Sequence, residues 1–171
     1  MTAEQLELLP SEAKADEGNS PKVTHGYLVE RAARWLRNSR RCGVVITHQF
    51  AILSEVPDAL GWQTSGHSIL VECKTSCSDF RRDLKKPMRR RPDEGLGSKC
   101  YYLAPPGIVP PEELPEGWGL LECHPRTVRT VKFASKMFNS DTTVKRERMI
   151  LLAEIRRRNR EAREKLQKGD L

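Results

Sequence analysis

At 171 residues, 37% of them apolar, the chain can bury a core of its own without disulfide or metal staples, and no second domain is required. Its formal net charge of +7, from 30 basic and 23 acidic residues, speaks to association rather than to fold and points to a polyanion, nucleic acid first, as partner. Five cysteines without a CxxC pair argue against a disulfide framework, and no apolar run approaches the ~18 residues of a membrane-crossing helix, so a soluble protein of a reducing cytoplasm with no membrane partner is expected.

Residues 1–22 are acidic and poor in large apolar groups after Leu9, which reads as a tail outside the fold. From Thr24, a suitable N-cap, "HGYLVERAARWLRNSRR" places Leu28, Ala32, Trp35 and Leu36 at helical spacing and ends in basic residues suited to a helix C-terminus. "VVITHQFAIL" (Val44 to Leu53) reads as a strand. "DALGWQ" and "SILVECK" read as two more, joined by the turn residues Thr64 to His67.

In "SDFRRDLKKPMRRR" Ser78 can cap a basic helix that Pro87 stops or kinks. "CYYLAP" is a strand, the proline-rich stretch after it a loop with one helical turn, "WGLLEC" a strand, and "TVRTVK" an edge strand. From about Asp141 to Lys168 a long helix is expected, with Val144, Leu151, Leu152 and Ile155 making its apolar contacts and a basic, solvated end. The order is αβββαβ. It predicts an α/β fold with a central mixed sheet flanked by helices, over residues 23–140, followed by a basic C-terminal helix at 141–171.

The strand "SILVECK" carries the chemistry. Ile69, Val71 and Cys73 share one face, so Glu72 and Lys74 share the other. Burying a carboxylate and an ammonium costs several kcal/mol, on the order of what one lost ion pair costs, unless each finds a partner. A cation is one such partner. Asp58 and Glu72 are hard oxygen donors suited to Mg²⁺, and Lys74 can orient or deprotonate a water or stabilise charge developing on phosphorus. The alternative has Glu72 and Lys74 on an exposed face and Asp58 as a turn residue beside Pro57. With only Thr64 to His67 in the loop, Ala59 falls opposite Glu72 and Asp58 points away, so an odd-length loop or a bulge, for which Gly61 is suited, is predicted between Asp58 and Ile69.

"PD", thirteen residues, then "ECK" resembles the PD-(D/E)XK nuclease superfamily, over about residues 24–122. The resemblance implies a restriction-endonuclease-like core in which Asp58, Glu72 and the Cys73 backbone carbonyl bind Mg²⁺ or Mn²⁺, Lys74 is the catalytic lysine, and Glu30 on the first helix is a further acidic candidate. The stretch from Ser68 through Glu122 also looks like small nuclease-like proteins of bacteria and phages, including the MmcB group of DNA repair proteins. A bacterial or phage-infected cell follows as the setting. Where some relatives carry a glutamine after the lysine, this chain has Thr75 and Ser76.

Arg81, Arg82, Lys85, Lys86, Arg89, Arg90 and Arg91 follow the candidate strand and are expected to contact DNA phosphates. Trp62, Tyr101 and Tyr102 suit core packing better than base stacking. His25, His48, His67 and His124 have no second ligand at a telling spacing, and Glu55 reads as a surface acid. A zinc site from Cys73, Cys77, Cys123 and His124 fits no usual spacing, which leaves buried thiols. The expectation is thus a DNA-cleaving enzyme, and a homodimer if it cuts duplexes. The competing readings are a non-catalytic nucleic-acid-binding module of the same fold and an assembly protein acting through its C-terminal helix.

Overall fold

In the computed structural model, which describes residues 23–47 and 56–168, the Thr24 hydroxyl accepts the Tyr27 N–H and opens helix α1 (His25–Asn38) as the sequence predicts. Strands β1 (Val44–Thr47), β2 (Ala59–Trp62) and β3 (Ser68–Cys73) form an antiparallel meander. The rest of the first expected strand, with His48 and Glu55, lies outside the described residues, as do residues 1–22. Short helices α2 (Cys77–Asp83) and α3 (Pro87–Arg90) then lead to β4 (Lys99–Ala104), which pairs parallel to β3. The proline-rich loop, with one 3-10 turn at Pro111–Glu113, leads to β5 (Gly119–Cys123), parallel to β4. β6 (Val128–Lys132) closes a six-stranded mixed sheet as an antiparallel edge, in the order β1-β2-β3-β4-β5-β6.

β3 sits inside the sheet, and all six of its residues are buried. Its pleat divides the core. Ile69, Val71 and Cys73 pack with Leu28, Ala32, Trp35 and Leu36 of α1, while Leu70 joins Phe80, Tyr102, Trp118 and Ile150 on the opposite face. Tyr101 and Tyr102 are core residues, one on each side. The cysteines are free, and all but the partly exposed Cys77 are buried.

Two local expectations are corrected, those for Ser78 and Pro87, and of the odd-length loop or bulge expected between Asp58 and Ile69 it is the loop that forms. The turn runs from Gln63 to His67, an odd count, so Trp62 pairs with Ser68 and Ala59 with Val71 in a regular ladder without a bulge. Gly61 serves a different need: a Cβ there would stand 2.9 Å from Cys42 Sγ, so its bare backbone admits the Cys42 side chain. Ser76, not Ser78, caps α2, accepting the Asp79 N–H at 3.2 Å. Pro87 ends nothing, but starts α3, where its missing N–H is no loss.

The last helix, α4 (Asp141–Lys168), docks by a different stripe from the one expected. Thr143, Glu147, Ile150 and Glu154 are its buried residues, with Leu151 partly buried against the core. Val144, Leu152 and Ile155 are exposed. The reason is polar. The Glu147 carboxylate accepts from Trp62 Nε1 (2.9 Å), the Ser68 hydroxyl (2.7 Å) and the Gly97 N–H (2.8 Å), which fixes the rotation of the helix on the sheet. No described helix is long and apolar enough to cross a membrane.

Gly119 allows the closest approach between β5 and its surroundings: a Cβ there would lie 2.4 Å from Tyr101 Cε1 and 2.7 Å from the Ala134 nitrogen. Gly119→Ala is therefore expected to cost about 1–3 kcal/mol in urea unfolding. Gly26→Ala, with nothing within 4 Å of its new methyl, should leave stability unchanged or raise it by up to about 1 kcal/mol. Equal effects at the two positions would refute the packing account.

Candidate active site at the end of the central strand

The ladder between β2 and β3 ends at the pair Ala59–Val71, and Asp58, the residue before β2, lies just beyond it beside the end of β3. The Asp58 carboxylate lies along the end of β3: Oδ2 accepts the Cys73 N–H at 2.7 Å, and Oδ1 is 3.2 Å from His25 Nε2 at the start of α1. At 15% side-chain exposure Asp58 is open to solvent, whereas Glu72 at 2% and Lys74 at 6% lie behind it. The reading that puts Glu72 and Lys74 on an exposed face is excluded.

Behind Asp58 the charges form one cluster. Lys74 Nζ stands 3.5 Å from Glu72 Oε2 and 3.2 Å from Asp83 Oδ1. Arg89 Nε donates to Asp83 Oδ2 at 2.7 Å, and its Nη2 lies 3.3 Å from Glu72 Oε1. The Tyr102 hydroxyl donates to Asp83 Oδ2 at 2.7 Å, and Lys86 closes on Oδ1 at 2.7 Å. The Arg89 guanidinium also stacks over Trp118, 4.7 Å from the ring centre. Local structure makes this possible: α2 returns Asp83 over the sheet, and the break before Pro87 lets α3 return Arg89 to the same point.

Glu72 Oε1 is buried and accepts no hydrogen bond, since the nearby guanidinium nitrogen is not aligned with it. Burial pushes the Glu72 carboxyl up to about 7; Arg89 and Lys74 pull against that, while the charges of Asp58 and Asp83 add to it. Burial also opposes ionisation of Asp83, yet Arg89, Lys74 and Lys86 outweigh it and hold that carboxyl well below the usual range. For Lys74 desolvation is overcome by Glu72, Asp83 and Asp58, so its pKa is raised and it stays protonated.

The sequence-predicted residues are only partly brought together. Asp58, Glu72, Cys73 and Lys74 converge. Glu30 is exposed, about 140° around α1 from the residue that meets Asp58. Among the described residues no three acidic, histidine or cysteine side chains gather as a metal-binding group, so Glu30 does not complete one. Arg89 is corrected from a phosphate contact to a buried partner of Asp83 and Glu72. Of the other basic residues, Arg81 makes a two-pronged contact to Glu113, Arg82 pairs with Asp79 and Arg91 with Glu94. Lys85 and Arg90 are exposed and make no ion pair among the described residues. His25, Asp83 and Tyr102 were missed. The signal for Asp83 was there, as an acid that interrupts a run of bases seven residues after a helix-capping serine.

No family model and no curated protein matches the sequence. One solved structure does, the SPO1766 protein of unknown function from Silicibacter pomeroyi, at 22% identity and a TM-score of 0.62 over 84% of this chain and 94% of that one. The likeness extends to the fold alone. It supports an α/β architecture of mixed sheet and flanking helices across nearly the whole described chain.

Two outcomes follow from the cluster. A carboxyl raised to about 7 is still protonated in the fold where the unfolded chain, near 4.5, has ionised, so Glu72 removes stability as pH rises through that window. Glu72→Gln should gain on wild type in melting temperature between about pH 5 and about pH 8, and a pH-independent difference would refute the assignment. Arg89→Gln, which strands two buried carboxylates, should cost about 3–5 kcal/mol in denaturant unfolding, against less than about 0.5 kcal/mol for Arg90→Gln.

Proposed function

We propose that the protein is a metal-dependent nuclease that hydrolyses phosphodiester bonds in DNA, with a restriction-endonuclease-like core. The observation that carries this reading is the Asp58 carboxylate fastened to the Cys73 N–H at the end of β3, with Glu72 and Lys74 on either side of Cys73 along the chain and one Glu72 oxygen buried without a hydrogen bond. The element order supports it: α1, three strands, a helical crossover made of α2 and α3, and then β4 follow the helix, three strands, helix, strand order expected from the PD-(D/E)XK resemblance.

The donor set fits a hard divalent cation. Asp58, Glu72 and the Cys73 carbonyl would hold Mg²⁺ or Mn²⁺, and the orphaned Glu72 oxygen is the kind of group such an ion would satisfy. Bound there, the ion supplies Lewis-acid stabilisation of the charge that builds on a phosphate. Lys74, kept protonated by Glu72 and Asp83, is suited to stabilising charge or orienting a water rather than to taking a proton. Asp83 and Arg89 act through Lys74 and Glu72 as positioning residues. His25 holds the open side of Asp58. DNA repair, recombination or phage DNA processing is the setting that the resemblance implies, in a cytoplasm and, for duplex cutting, as a homodimer.

A second reading is favoured by one observation. The Arg89 guanidinium already stands against Glu72, where it answers part of that carboxylate's charge without an ion, as suits a DNA-binding module that does not turn over. Cleavage of labelled linear, nicked, single-stranded and branched DNA with Mg²⁺, Mn²⁺ or EDTA separates the two. Metal-dependent cutting by wild type that drops at least about 100-fold in Asp58→Ala and Lys74→Ala is the expected outcome. Binding without cutting under either metal would leave the module.

A further inference from the structure

On the face of the sheet opposite the charge cluster, α1 and the β5–β6 turn enclose a groove of about 180 Å³. Arg31, Arg34 and Asn38 line one side, Arg126 and Thr127 the other, and Trp35 the floor; no carboxylate lines it. Arg31 builds the wall. Its Nη1 donates to the Tyr27 hydroxyl (2.6 Å) and the Pro125 carbonyl (2.8 Å), and its Nη2 to the His124 carbonyl (3.1 Å), pinning the turn to the helix. Arg34 and Arg126 are exposed and make no ion pair among the described residues. Among the described residues no carboxylate answers these two arginines, and Arg37, one turn on from Arg34, extends the positive edge along α1.

We propose that this groove binds backbone phosphates of a nucleic acid, as a contact separate from the basic run of α2 and α3. Guanidinium forks match phosphate oxygens, and the amide and hydroxyl of Asn38 and Thr127 suit the same ligand. The floor argues against a free nucleotide. Trp35 is 6% exposed, meets Tyr101 edge-on at 5.4 Å and is covered by the Arg40 guanidinium at 5.4 Å, so no ring face is offered to a base.

Position favours a strand that also crosses the candidate active site. β3, β4 and β5 are parallel, so Lys74 and His124 leave the sheet at the same edge, two strand spacings or roughly 10 Å apart. α1 is fastened to that edge at both places, by His25 to Asp58 and by Arg31 to His124. From His25, beside Asp58, to Arg34 in the groove α1 advances roughly 14 Å, which about four nucleotides of a strand at roughly 3.4 Å each would cover. The placement beside a cleavage site rests on the nuclease reading; the phosphate contact does not.

The test is fluorescence anisotropy of labelled single-stranded and duplex oligonucleotides in EDTA, where nothing is cut, across a salt series. Wild type is compared with Arg34→Gln/Arg126→Gln and with Arg34→Lys/Arg126→Lys; thermal melts confirm that each is folded. The glutamine pair should bind about tenfold more weakly near 0.1 M salt and lower the slope of log affinity against log salt by about 1 to 2, with the lysine pair restoring the slope. Unchanged affinity and slope in the folded glutamine pair overturn the proposal, as does a wild type that binds inorganic phosphate but neither oligonucleotide. Loss of binding in the pair with no metal-dependent cutting by wild type upholds the groove and sinks the nuclease; cutting by wild type with unchanged binding in the pair does the reverse.

Discussion

The Asp83 carboxylate is the point on which the architecture turns. It receives the Arg89 guanidinium, the Tyr102 hydroxyl and the Lys74 and Lys86 ammonium groups, and so joins α2, α3, β3 and β4 through one pair of oxygens. Two helices as short as α2 and α3 have little intrinsic stability. Their position over the sheet depends on this cluster and on the Phe80, Tyr102 and Trp118 rings packed beside it, with centroids 5.0 and 4.7 Å apart in successive pairs.

A buried cluster of this kind is a poor source of net stability, because desolvation offsets most of the Coulomb attraction. What it supplies is placement. Lys74 is held between two carboxylates with its proton retained, and Glu72 is held with one oxygen unsatisfied. An apolar substitute of the same volume would pack as well and would leave β3 with nothing to present at its end. The arrangement makes sense as a site that spends some stability on a fixed charge pattern, with Asp58 as its exposed member.

Most of the element order was legible in the sequence, because β-branched runs, a threonine cap and a long helical period each carry a local cause. α4 was legible as a helix but not in its rotation. The apolar spacing of Val144, Leu152 and Ile155 suggested one face, whereas the three hydrogen bonds to Glu147 select another. Polar partners brought together from distant segments leave no trace in local periodicity. The same limit governs the site: Asp58, Glu72 and Lys74 stood out by spacing, but the roles of Asp83, Arg89 and His25 depend on where two turns and a helix start return the chain. Arg89 in particular is indistinguishable in sequence from Arg90 and Arg91, and only the geometry of α3 selects it for burial.

The five-residue turn Gln63–His67 has a consequence for how such a chain can change through time. Side chains alternate along a strand, so adding or removing one residue within Ala59–Trp62 or Ser68–Cys73 would turn every side chain beyond it to the other face of the sheet, whereas a residue added inside the turn leaves the pairs from Trp62–Ser68 to Ala59–Val71 as they are. Descendants of this sequence are thus free to vary the loop in length, while the two strands that it joins must keep theirs.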